Sequence, residues 1–153
     1  MDSFNEIIKI YENINGNDSD RFVIIIRGTS GSGKTTFANL FAEPKVICTA
    51  DDFFYDQKGK YNFDASKLGD AHKSCQNKFE CALQDKTVKL IIVANTNVRP
   101  SDYQYYVEKA NEYNVKYISV ILEKRHDNVN VHNVPSHVLQ RQHDALKNDL
   151  KLM

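Results

Sequence analysis

The stretch Gly28-Thr29-Ser30-Gly31-Ser32-Gly33-Lys34-Thr35 limits what this chain can fold into more than any other part of it. It fits the phosphate-binding loop pattern G-x-x-x-x-G-K-[ST] at each fixed position. In such a loop successive main-chain N–H groups turn inward and cradle phosphate oxygens. Glycines permit the backbone angles this needs, which side chains block. The pattern has structural meaning when a strand enters it and a helix leaves it. Phe22-Val23-Ile24-Ile25-Ile26-Arg27 enters, an apolar run suited to a strand buried on both faces. Lys34 to Ala42 leaves as an expected helix with Phe37, Leu40 and Phe41 on one face. The ligand implied is ATP, held by Gly28, Thr29, Ser30, Gly31, Ser32, Gly33, Lys34, Thr35 and Thr36. Lys34 supplies a point charge to the β- and γ-phosphates, and the Thr35 hydroxyl is the expected Mg²⁺ ligand.

Strands and helices alternate along the rest of the chain. Val46 to Thr49, Leu90 to Ala94 and Tyr117 to Leu122 read as three more short strands. Pro44 is expected to stop the helix after the loop. Asp64 is the expected N-cap of a helix reaching about Leu83, with Leu68, Ala71, Cys75, Phe79 and Ala82 on its apolar face. Pro100 opens a helix reaching about Tyr113, and Pro135 opens a last one with Val138, Leu139, Gln142, Leu146 and Leu150 along one side. Residues 3–13 read as a short amphipathic helix before a polar loop, and residues 124–134 as a polar, lid-like segment. This alternation predicts an α/β chain of one domain over residues 1–153. The expected architecture is a three-layer P-loop NTPase fold, a parallel sheet of about four strands with helices on both faces.

Bulk properties narrow the partners. Lys and Arg balance Asp and Glu, giving a formal net charge of zero, which argues against coating long nucleic acid without specificity. Binding the end of a strand needs only a few local phosphate contacts and stays open. No apolar run reaches membrane-spanning length, and Met1 to Glu6 lacks a signal-peptide pattern, so no membrane partner is expected. Three cysteines without a CxxC spacing read as reduced thiols, which points to the cytoplasm, with the nucleus also open. Four of the five histidines fall in the last thirty residues, at spacings that fit no helical metal site.

In parallel sheets ligands sit beyond the C-terminal ends of the strands. Besides the loop, Asp51-Asp52 and Asn95-Thr96-Asn97 fall there. Asp51 is the expected general base, taking the proton of an attacking hydroxyl, and Asp52 a supporting or substrate-side residue. The plainer alternative makes one Asp a turn cap. Asn97 is a candidate for a substrate phosphate or sugar, or for a local Asx-turn. Arg125, after the fourth strand, has the chemistry to stabilise charge on a transferring phosphoryl group. Arg141, Lys124 and Arg99 are weaker candidates of that kind, Arg141 on the substrate side. Tyr103, Tyr105 and Tyr106 are able to stack on bases or to fill the core.

Taken in order, GTSGSGKTTFA, ADDFF and NTN resemble the kinase domain of bacteriophage polynucleotide kinase and its cellular relatives. FDASKLGDAH and NVHNVPSHVLQRQ are similar to the cellular relatives in particular, and the resemblance covers roughly residues 21–145. It implies transfer of the ATP γ-phosphate to a DNA or RNA 5′-hydroxyl, with Lys34, Asp51 and Arg125 as the catalytic residues. The chain departs from that pattern in three places. Phe54 stands where the phage enzyme has an arginine, Val129 where the lid has a second one, and Ala94-Asn95 where relatives carry an aspartate. These departures keep two alternatives in view: a kinase of nucleosides or other small molecules, and a nucleotide-binding interaction module without turnover.

Overall fold

The computed structural model describes residues 21–123 and 134–151. The expected helix over residues 3–13, most of the lid-like segment, Arg125 and Val129 lie outside the described residues. Four parallel strands form one sheet in the order β2-β3-β1-β4. They are β1 (Phe22–Arg27), β2 (Lys45–Cys48), β3 (Leu90–Ala94) and β4 (Lys116–Ile121). Between and after them run α1 (Lys34–Asn39), α2 (Leu68–Gln84), α3 (Pro100–Glu112) and α4 (Ser136–Lys151). Among the described residues no helix is long and apolar enough to cross a membrane.

The pattern of β1 explains the layers. Successive side chains of a strand point to opposite faces, so a run apolar at every position demands cover on both sides. Val23 and Ile25, with Ile91 and Val93 of β3, pack against Ala71, Cys75, Phe79, Ala82 and Leu83 of α2 and Tyr106 and Ala110 of α3. Phe79 meets Tyr106 edge to face, 5.0 Å between ring centroids. Ile24, Ile26, Ile92 and Ala94 face the other way, onto Phe37, Ala38 and Phe41. Helices therefore cover both faces of a four-stranded parallel sheet, as the sequence predicts. In-register pairing of Ile24 with Ile92 and Ile26 with Ala94 brings the ends of β1 and β3 level, where the polar clusters begin.

Several boundaries differ from expectation, β2 among them, which runs Lys45–Cys48 rather than Val46 to Thr49. α1 ends at Asn39 rather than Ala42, because the Lys45 ammonium donates to the carbonyls of Ala38, Asn39 and Phe41 and closes the helix from outside. Leu40, expected on the apolar face, is 62 % exposed as a result. Asp64 does cap, accepting from the Ser66 N–H at 3.0 Å, but first over a 3₁₀ turn at Ala65–Lys67, and α2 proper begins at Leu68. β4 starts one residue earlier than expected, at Lys116.

Arg21 fastens the start of β1 to the far end of α2. Its guanidinium donates to the carbonyls of Val88, Leu83 and Ala82 at 2.8, 2.7 and 2.7 Å, and to Asp85 at 3.0 Å. These carbonyls lie at the last turn of α2 and in the connection that follows it, where the regular helical partners run out. Arg21→Ala is expected to lower the unfolding free energy in urea by about 2 kcal/mol. Arg21→Lys should restore little of it, since one ammonium cannot reach a fan of carbonyls. A denaturation midpoint unchanged in Arg21→Ala contradicts this role.

Candidate active site

The phosphate-binding loop is shaped by two different demands on glycine. Gly31 and Gly33 adopt φ of +78° and +99°, angles that strain any side chain. At Gly28 the demand is space: a Cβ there would lie 2.6 Å from Ser32 Oγ and 2.8 Å from the Leu122 carbonyl. The loop is stitched to the sheet by Gly28 N–H on the Thr96 carbonyl, 2.9 Å, and by Leu122 N–H on the Arg27 carbonyl, 2.8 Å. Ser32 Oγ is buried with no hydrogen-bond partner among the described residues, an orphaned polar atom inside the cradle.

Lys34 folds back over the loop. Its ammonium donates to the carbonyls of Gly28 and Thr29 at 3.0 and 2.9 Å. Burial pushes Lys34 down to about 8, against the attraction of the Asp51 charge. Lys34 and Asp51 therefore feel one another across the mouth of the loop. Thr35 and Thr36 are exposed on the first turn of α1. Among the described residues no group of three His, Cys, Asp or Glu is placed to hold a metal ion alone. The donor set fits Mg²⁺ only as the usual partner of a nucleotide, with Thr35 Oγ1 as protein ligand and phosphate oxygens beside it.

Asp51 and Asp52 sit on a 3₁₀ turn, Ala50–Phe54, directly after β2. Thr49 caps it by accepting the Asp51 N–H at 3.3 Å. Asn95, at the end of β3, accepts the Ala50 N–H through Oδ1 at 2.8 Å and donates to Cys75 Sγ at 3.5 Å. The neutral residue found in place of an acid thus braces the shelf that carries Asp51. Tyr61 donates its hydroxyl to Asp51 Oδ1 at 3.3 Å, and burial together with the Asp51 charge pushes Tyr61 up to about 12. Asp52 points elsewhere, into an exposed pair with Lys78 at 3.6 Å.

Asn97 departs from its expected role on the substrate. It is 1 % exposed, at φ +47°, and its amide donates to the Ile26 carbonyl at 3.0 Å. Arg27, 4 % exposed, donates to the Asn97 carbonyl at 2.8 Å, pairs with Asp149 of α4 and lies 4.3 Å from the centre of the Tyr103 ring. Tyr106 is core and Tyr105 hydrogen-bonds Glu80 at 3.3 Å, so the three tyrosines of α3 serve packing, not an open stacking face. Phe54 is likewise core, packed on Tyr61 and Phe63.

Sequence reasoning missed Tyr61, Gln142 and His72. Gln142 of α4 accepts the Ser30 N–H at 2.9 Å, so one cradle amide is held by the C-terminal helix. A pocket of about 310 Å³ beyond β3 is lined by His72, Asn95, Thr96, Arg99, Arg141 and Gln142, among others. Two of its lining residues also bond to neighbouring segments, Asn95 to the Ala50 N–H and Gln142 to the Ser30 N–H. Only the polar spacing of α4 hinted at this, through Gln142 on its otherwise apolar side.

A protein-family model described as an AAA domain matches residues 23–149. Human NEDD4-binding protein 2 is 35% identical over 97 residues, covering 61% of this chain. The chain spans only 5% of that protein's length. Two structures of the Pnkp1/Rnl/Hen1 RNA repair complex share the fold. One has a TM-score of 0.67 at 21% identity, covering 91% of this chain and 48% of the other. The second has a TM-score of 0.54 at 24% identity, covering 80% and 39%.

The Lys34 environment yields a pH signature. Nucleotide phosphates beside the ammonium raise its pKa above the value near 8 of the free protein. Below that pH Lys34 is charged in both states and affinity is flat. Above it, binding takes up a proton and affinity falls as pH rises. Titration calorimetry with ATP at about pH 8.5, in two buffers of different ionisation enthalpy, should show the uptake. Lys34→Met should abolish it, and equal heats in both buffers for the wild type exclude it.

Proposed function

The chain belongs to the AAA domain family and is a P-loop kinase-like domain, and from that premise we propose that it transfers the γ-phosphate of ATP to a 5′-hydroxyl at a nucleic acid end. The observation that carries this reading is the placement of Asp51. It stands at the end of β2, held by Thr49, Tyr61 and the Asn95-braced backbone, within electrostatic reach of Lys34. Phosphoryl transfer asks for little more than a positioned donor, a charge clamp and a base.

In this mechanism the loop amides and Lys34 hold the β- and γ-phosphates. Thr35 Oγ1 would hold a Mg²⁺ ion brought with the nucleotide, which would supply charge neutralisation there. The acceptor hydroxyl gives its proton to Asp51 as its oxygen bonds to the γ-phosphorus, and ADP leaves with the electrons of the broken bond. The Tyr61 hydroxyl fixes which Asp51 oxygen faces the acceptor. Arg125 is assigned to the transferring group through the family resemblance. Arg99 and Arg141, lining the pocket beyond β3, are suited to an acceptor phosphate. The acceptor class draws on the sequence resemblance, and the RNA repair complex among the structural neighbours agrees with it.

A kinase of nucleosides or other small hydroxyl compounds is a second reading, favoured by the formal net charge of zero. Labelled γ-phosphate transfer to a 5′-hydroxyl oligonucleotide, run beside a panel of small acceptors, separates the two. Transfer to the small acceptors alone would overturn the first. Lys34→Ala and Asp51→Asn should each reduce transfer by at least about a hundredfold. Asp51→Asn should leave ATP affinity within about threefold, and a parallel loss of ATP binding rejects the general-base role.

A further inference from the structure

Residues 53–63 form a small, ordered aromatic platform beside the proposed base. Tyr55 and Tyr61 pair as an antiparallel bridge, and Asp56 closes the turn between them by accepting the backbone N–H groups of Lys58 and Lys60 at 2.8 and 2.9 Å. Gly59 takes φ +78° at the tip. Phe54, 6 % exposed, anchors the unit from below and touches Phe53, Tyr61 and Phe63 at ring-centroid distances of 5.4, 6.2 and 5.1 Å. Tyr61 and Phe63 lie nearly parallel, 18° apart.

The outward side of this unit is apolar where a solvated loop would be polar. Phe53, Tyr55 and Phe63 are 41, 45 and 54 % exposed, and they make up half of the six large hydrophobic side chains exposed in the described residues. Lys58 and Lys60 at the tip have no ion-pair partner among the described residues. The Asp56 carboxylate is taken up by the backbone N–H groups of Lys58 and Lys60, and Asp52 is paired with Lys78. Tyr61 belongs to the platform and to the reaction centre at once, since its hydroxyl sits on Asp51.

We propose that this platform stacks the unpaired terminal base of the acceptor, with Phe63 continuing the Tyr61–Phe63 stack and the tip lysines meeting the backbone. Aromatic faces take any base, and lysines beside them suit a phosphate track. Tyr61 joins the platform to Asp51, so a base stacked there belongs to the nucleotide that carries the reacting hydroxyl. This inference rests on the kinase reading for its acceptor and adds that the terminal base is gripped. It also moves base stacking from α3, where the tyrosines are engaged, to the loop after Asp51.

The test uses binding and turnover separately. The chain has no tryptophan, so Phe63→Trp introduces a single emitter at the platform. A single-stranded oligonucleotide with a 5′-terminal base should quench it, while the same strand with an abasic 5′ end should not. The triple variant Phe53→Ala, Tyr55→Ala, Phe63→Ala should weaken oligonucleotide binding roughly five- to hundredfold, with ATP binding unchanged. Tyr55→Phe, which keeps the ring, should bind as the wild type does, and circular dichroism checks that each variant folds. Equal quenching by abasic and normal ends, or equal affinity in the triple variant, overturns the platform. Base-dependent quenching without any phosphate transfer supports the platform and removes the kinase reading. Transfer that is indifferent to the terminal base removes the platform and leaves the kinase.

Discussion

Everything at the reaction edge hangs on the buried guanidinium of Arg27. It occupies the point where β1 becomes the phosphate-binding loop, and it joins three other parts of the chain. It grips the Asn97 carbonyl beyond β3, the Asp149 carboxylate of α4 and the face of the Tyr103 ring on α3. Removing one partner of such a buried pair costs about 3–5 kcal/mol, because the other charge is stranded. The Coulomb gain matters less here than the geometry. Without this joint α4 is left with its buried Leu146 and the Gln142 bond to Ser30 as anchors over the strand ends.

Asn95 does a job that an acid could not. A carboxylate there would accept the Ala50 N–H equally well, but it could not donate to Cys75 Sγ. It would also bury a charge with no cation supplied to meet it. The neutral amide satisfies both neighbours and fixes the height of the Asp51 shelf. Tyr61 hydrogen-bonds Asp51 on that shelf. In the proposed reaction the donor side would be built largely from backbone, and the acceptor side from side chains of separate elements.

That division explains what the sequence made legible. The loop, β1 and β3 are local patterns, and they were readable nearly to the residue because continuous burial and glycine spacing leave few alternatives. The position of Asp51 at a strand end was readable because strand ends converge in a parallel sheet. Gln142 was not, since its contact with Ser30 spans 112 residues of chain and nothing local marks it. Tyr61 contacts Asp51 from ten residues away, but only a folded turn brings it back. The end of α1 was misjudged because the group that closes it, Lys45, belongs to the next strand. Asn97 reads in sequence as either a substrate contact or a local Asx-turn, and its side chain instead satisfies a strand carbonyl 71 residues away.

Gln142 belongs to two places at once. Its Oε1 holds the Ser30 amide of the phosphate-binding loop, and it lines the cavity beyond β3. Under the proposed kinase function, a phosphate claiming the Ser30 amide would release Gln142, and an acceptor drawing Gln142 into the cavity would release the amide. Each event would then ease the other by the same factor in both directions. One glutamine of α4 would couple the two substrates.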